Sequence, residues 1–150
     1  MQAELEFGSM LDASYRIEHK IGSGANGAVY RATDISLARP VAIKLLLNWN
    51  TSFTDETNSR RFEREARVLS QLLHPNIVRV FSFGHLEDGN PYLVMEFLDG
   101  KSLRELIEQK KQLPCNEVID IALQVSAAME VAHSHDIIHR DLKPEHIMIE

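Results

Sequence analysis

The feature that most restricts this chain is a change of period near residue 98, with β-rich runs and one inserted helix before it and helical spacing after it. Tyr15, Ile17 and His19 alternate with Arg16, Glu18 and Lys20, which predicts a strand to about Ile21. Gly22 to Gly27 form a turn, and Ala28 to Thr33 read as a returning strand, giving a glycine-tipped hairpin. After Pro40, alternation puts Val41, Ile43 and Leu45 on one side of a third strand and Ala42, Lys44 and Leu46 on the other. Asp55 to Leu73 places Phe62, Ala66, Leu69 and Leu73 at helical spacing and should stop at His74 and Pro75. Ile77 to Phe83 and Tyr92 to Phe97 read as a hairpin around the polar Glu87, Asp88, Gly89 and Asn90. Beyond Gly100, Ser102 can cap a short helix, and Asn116 can cap a longer one that reaches about His135 and is apolar nearly all round. The expectation is an α+β chain: a flexible lead-in over 1–13, a five-stranded antiparallel sheet with one long helix over 14–97, and a helical region over 98–150.

Composition narrows the classes. Of 150 residues, 44% are hydrophobic and 25% charged, the usage of a folded domain. A formal net charge of -6, with basic residues interleaved among acids, offers phosphate backbones no field, so nucleic acid is not an expected partner. The lone Cys115 cannot form an internal disulfide, and the opening MQAELEFGSM has neither the basic start nor the apolar run of an export signal. No apolar run approaches the roughly 18 residues that cross a bilayer. A cytoplasmic location is expected.

Three constellations carry chemistry. Gly22, Gly24 and Gly27 would let backbone approach a phosphate, though glycines at such spacing equally suit a plain hairpin tip. Val29 and Tyr30 continue as strand, whereas a dinucleotide-binding turn would open a helix there. Lys44 sits in an otherwise apolar strand and needs an anion or a path to water, unless the strand is an edge. Glu65 lies near the apolar stripe of the long helix and could reach Lys44, or could join Arg61 and Arg64 on a solvated face. The third constellation, His139-Arg140-Asp141-Leu142-Lys143-Pro144, lies where a loop leaves the second long helix.

HRDLKP, VAIK, GSGANG and the helix carrying Glu65, in that order, resemble the Ser/Thr protein kinase catalytic domain over about residues 14 to 150. The glycine loop and YLVMEFLDG resemble bacterial kinases of the eukaryotic type. The resemblance implies a kinase small lobe followed by a hinge and the first helices of a large lobe, with ATP and Mg²⁺ as cofactors and protein Ser/Thr hydroxyls as substrate. Ile21, Gly22, Gly24 and Gly27 would cover the nucleotide, and Val29 and Ala42 would press on the adenine. Met95 would gate the inner pocket, with Glu96 and Leu98 in the segment that meets the adenine edge. Lys44, held by Glu65, would hold the phosphates, Asp141 would take the proton of the accepting hydroxyl, and Lys143 would steady the transferred group. Arg140 beside Asp141 resembles kinases controlled by phosphorylation.

Two departures qualify the expectation. His146 stands where the family has a metal-binding Asn, and imidazole nitrogen suits softer ions than Mg²⁺, so the metal site at His146 is altered and Mn²⁺ is a possible cofactor. The residues also stop at Glu150, before a DFG motif or activation loop, so no useful catalysis is expected of them alone, and the apolar long helix is expected to promote self-association. The alternative is a pseudokinase or an interaction scaffold that keeps the nucleotide cradle. His133, His135 and His139 read as surface or packing residues, because residues two apart do not share a helical face.

Overall fold

The computed structural model describes residues 4–24, 27–47 and 55–150. The chain divides into two compact units, one of Met1–Gln71 with Arg79–Phe97 and the other of Leu72–Val78 with Leu98–Glu150.

The first unit contains β1 (Met10–Leu11), β2 (Tyr15–Gly24), β3 (Gly27–Asp34), β4 (Arg39–Leu46), α1 (Asp55–Gln71), β5 (Val80–His85) and β6 (Pro91–Glu96). The strands form an antiparallel sheet of six, not five, in the order β1-β2-β3-β4-β6-β5. The additional strand, β1, lies in the stretch expected to be a flexible lead-in. Two residues carry no period to read; what fixes them is closure onto β2, with Met10 opposite Arg16 and Leu11 opposite Tyr15. Asp12 and Ala13 turn the chain there with positive φ of 49° and 53°. The stretch is further pinned by the Gly8 amide on the Ile17 carbonyl at 2.8 Å, the Leu5 amide on the Tyr30 hydroxyl at 3.3 Å, and the Tyr92 hydroxyl donating to the Asp12 carboxylate.

Alternation sorts the sheet into two faces. On one, Val41, Ile43, Leu45 and Val94 are 0% exposed and cluster with Ile17, Tyr30, Tyr92 and Leu11. Each fully buried aliphatic or aromatic side chain contributes about 1.5–3 kcal/mol, so this cluster is the main support of the unit. On the other face, Val29, Lys44, Leu93 and Phe83 stand in one cross-strand row and Arg31, Ala42 and Met95 in the next. Here α1 packs, because Phe62 and Ala66 recur one turn apart and bury together. The Phe62 ring meets Phe83 edge-on at 6.0 Å and His85 at 5.4 Å.

The second unit contains β7 (Lys101–Ser102), α2 (Leu103–Lys110), α3 (Cys115–Ser134), a single 3-10 turn (Pro144–His146) and β8 (Met148–Ile149), which pairs with β7. Ser102 caps α2 in a complete capping box: its hydroxyl accepts from the Glu105 amide and the Glu105 carboxylate accepts from the Ser102 amide. The expected Asn116 cap of α3 is corrected. The helix begins at Cys115 after Pro114, which stands at the N-cap in an extended conformation (φ -57°, ψ 144°) and provides no side-chain cap hydrogen bond. Gly100 passes so close to β8 that a Cβ there would stand 2.3 Å from the Ile149 carbonyl oxygen. Of α3, only Ala128 and Ala132 are buried, while Val118, Ile119 and Leu123 are 49%, 58% and 64% exposed. Among the described residues no helix is long and apolar enough to cross a membrane.

Candidate functional site

Six of the residues singled out in the sequence share one face or rim of the first unit. Gly22 pairs with Val29, Val29 with Lys44, Arg31 with Ala42, and Ala42 with Met95. Pairing directly across an antiparallel ladder puts two side chains on the same side, so Val29, Ala42, Lys44 and Met95 form one surface bordered by Gly22. Ile21 is the extra residue at a bulge between Lys20 and Gly22 and is half exposed at this rim. A Cβ on Gly22 or Gly24 would meet nothing within 4 Å, so both line open space. Gly27 differs: its φ is +148°, and a Cβ there would lie 2.0 Å from the Leu45 carbonyl oxygen. Its role is to let β3 leave the turn against β4. Ala25 and Asn26 lie outside the described residues.

Lys44 is partly buried on this apolar surface, and among the described residues nothing forms an ion pair or hydrogen bond with its ammonium. Glu65 does not supply the partner in this structure. It is exposed and accepts from Arg61 Nε at 3.0 Å, one turn back along α1. The Glu96 amide donates to the Arg79 carbonyl at 2.9 Å, which fixes the backbone where β6 ends. Leu98 opens the long stretch of the second unit.

In the second unit the loop after α3 gathers the remaining residues. Asp136 and Arg140 both take positive φ, 58° and 62°, conformations disfavoured for side-chain-bearing residues and found where surrounding contacts impose them. Asp141 Oδ2 accepts from Lys143 Nζ at 2.9 Å. That hydrogen bond, helped by the charge of Lys143 and then by His146 and His139, holds the Asp141 carboxyl below its ordinary value. The Asp141 amide donates to His139 Nδ1 at 3.3 Å. His146 Nδ1 lies 2.8 Å from the Asp141 carbonyl oxygen and 3.6 Å from Asp141 Oδ2. A carbonyl only accepts, so His146 Nδ1 is the donor in this contact. His135 turns back on its own helix, with Nδ1 on the Val131 carbonyl at 2.9 Å. Among the described residues no three His, Cys, Asp or Glu side chains gather to hold a metal ion.

Sequence reasoning missed the two bulges of β2 and the hydrogen bond from His146 to Asp141. A bulge shows in no period, and the loop contact depends on backbone angles that the letters do not state.

The protein kinase domain family model matches residues 15–150. Relatives include the Myxococcus xanthus serine/threonine-protein kinase pkn3, 41% identical over 95% of this chain and 26% of its own length. The Bacillus subtilis serine/threonine-protein kinase PrkC is also 41% identical, over 95% of this chain and 22% of its own length. Among solved structures, the kinase domain of Mycobacterium tuberculosis PknI superposes with a TM-score of 0.82 at 29% identity, covering 97% of this chain and 58% of that one. The chain therefore spans about a quarter of these two relatives and little more than half of that solved domain.

Proposed function

The chain belongs to the protein kinase domain family, and from that premise we propose that it is the ATP-binding portion of a Ser/Thr protein kinase. The observation that carries this reading is the row Gly22, Val29, Lys44, Leu93: a cation without a partner among the described residues, on an apolar sheet face, next to open space left by glycine. Apolar flanks suit a purine and a free ammonium suits phosphate. Val29, Ala42 and Met95 receive the base, the segment from Glu96 to Leu98 meets its edge, and Ile21, Gly22 and Gly24 cover it. Lys44 binds the phosphates, and Glu65 steadies Lys44 after releasing Arg61.

In the transfer, the hydroxyl oxygen of a protein Ser or Thr bonds to the γ-phosphorus of ATP, and the bond to the bridging oxygen breaks to leave ADP. Asp141 accepts the hydroxyl proton, and its lowered pKa keeps it ionised to do so. Lys143 neutralises charge on the moving phosphoryl group while holding Asp141 in place. The residues at hand do not fit the usual second Mg²⁺. His146 offers a nitrogen where a hard oxygen is needed, so Mn²⁺ should serve this loop better than Mg²⁺.

The test is thermal stabilisation of the chain by ATP with Mg²⁺ or Mn²⁺, in the parent and in Lys44→Met. Saturation at about 100 Kd adds about 2.7 kcal/mol, a shift of several degrees. Stabilisation that Lys44→Met abolishes supports the reading, and no stabilisation in either metal defeats it. His146 favours a second reading, a pseudokinase that binds nucleotide and acts as a scaffold for protein partners. It predicts stabilisation by ATP with no labelled phosphate appearing on a Ser/Thr peptide. The exposed Val118, Ile119 and Leu123 also make α3 a surface for self-association, which a monodisperse monomer in sedimentation would exclude.

A further inference from the structure

The Lys44 face carries one charged constellation that this reading leaves unused. In β2, Ile17 pairs with Ala32 and His19 with Arg31, so Glu18 is the extra residue of a bulge. Alternation from the buried Ile17 puts the Glu18 side chain on the Lys44 face, and the bulge seats it with His19 opposite Arg31. Here the Glu18 carboxylate reaches Arg31 Nη1 at 3.3 Å and the Thr33 hydroxyl at 2.5 Å, two side chains on the same face of β3. Arg31 pairs with Ala42 and therefore projects on the purine side of the sheet. Its guanidinium carbon stands 5.0 Å from the centre of the Phe97 ring, directly after β6. Arg31 Nε is buried and has no hydrogen-bond partner among the described residues, where the ion pair and the ring contact are what hold the head group. One side chain thus ties β2, β3 and the segment leaving β6 together, in the row of Ala42 and Met95 and one row away from Lys44.

We propose that Arg31 is a positioning residue for the purine: clamped by Glu18 and stacked on Phe97, it fixes the spacing between the glycine hairpin and the segment that meets the base. The proposal rests on the nucleotide reading above and adds a division of labour within it. Arg31 governs binding of the base, and Lys44 governs binding of the phosphates.

Calorimetric titration of the chain with ADP and with adenosine separates the two. Arg31→Leu weakens both ligands alike by about fivefold, the loss of one cation–π contact and its ion pair. Arg31→Lys, which keeps a cation near Phe97, recovers part of that loss. Glu18→Gln weakens both ligands in the same sense by about twofold, and it remains informative should Arg31→Leu fail to fold. Lys44→Met weakens ADP and leaves adenosine unchanged. Unaltered affinity for both ligands in Arg31→Leu and Glu18→Gln, alongside the Lys44→Met loss of ADP, overturns the role of Arg31. A loss confined to ADP in Arg31→Leu overturns it too, since the residue would then be acting on phosphate. Failure of the parent chain to bind either ligand defeats the nucleotide reading and this proposal together.

Discussion

The two units bury their side chains very differently. The sheet unit encloses large residues completely, among them Tyr30, Tyr92, Ile43 and Val94, whereas α3, the longest helix of the second unit, buries only two alanines. The face bearing Lys44, where nucleotide binding is proposed, is the reverse side of a dense core, so its residues are held by strands that packing has already fixed. The loop bearing Asp141 instead rests on local devices: two residues at positive φ, a 3-10 turn, and hydrogen bonds from His146 and Lys143. Substitutions should therefore act globally in the first unit and locally in the second.

The sharpest test of that contrast is Gly27→Ala. Both the φ of +148° and the 2.0 Å approach to the Leu45 carbonyl forbid the methyl group, so a loss of about 4 kcal/mol or failure to fold is expected in chemical denaturation. Gly22→Ala, with open space around it, should leave the fold intact. Next in size, Ile43→Ala should cost about 2–5 kcal/mol by opening a cavity in the closed core. Leu123→Ala should stay within about 0.5 kcal/mol, because that side chain is largely exposed. Equal costs for these two would break the comparison. Ser102→Ala should lower stability by about 1 kcal/mol through loss of the α2 cap, with the effect confined to hydrogen exchange in α2.

The smallest expected effect is electrostatic. The folded protein holds the Asp141 carboxyl low, so its contribution to stability is present above the ordinary carboxylate range and is lost as pH falls through the depressed value. Lys143→Met removes the largest cause. The Asp141 carboxyl should then titrate closer to the ordinary range by NMR, and an unchanged titration would show that the loop itself, and not Lys143, sets the value.

Most of the sheet was legible because its strands alternate and its turns are marked by glycine, proline or paired polar residues. β1 was not, since a two-residue strand exists only through its partner. Period alone put Ala42 and Lys44 on one face, whereas Val29 and Met95 were assigned to it only through the family resemblance, and the register Val29 to Lys44 and Ala42 to Met95 is what brings them together. The partner of Glu65 could not be chosen from the letters: Arg61 and Lys44 are rival cations, one along the helix and one across the sheet, and this structure takes the nearer in sequence. His146 was visible as a departure, but its donor role toward Asp141 follows from a contact that only coordinates supply. Pro114, not Asn116, stands at the N-cap of α3, which therefore starts one residue before Asn116 and without a side-chain cap.

The seating of residues 4–13 bears on how this protein can be linked to others. Leu5 and Leu11 pack with the core cluster, and the Leu5 amide is bonded to Tyr30, on the side of the sheet away from Lys44. Glu4 itself pairs with Lys20 on that same side, so a label carried on the Glu4 side chain would stand on the face opposite Lys44 and leave the proposed nucleotide row unobstructed.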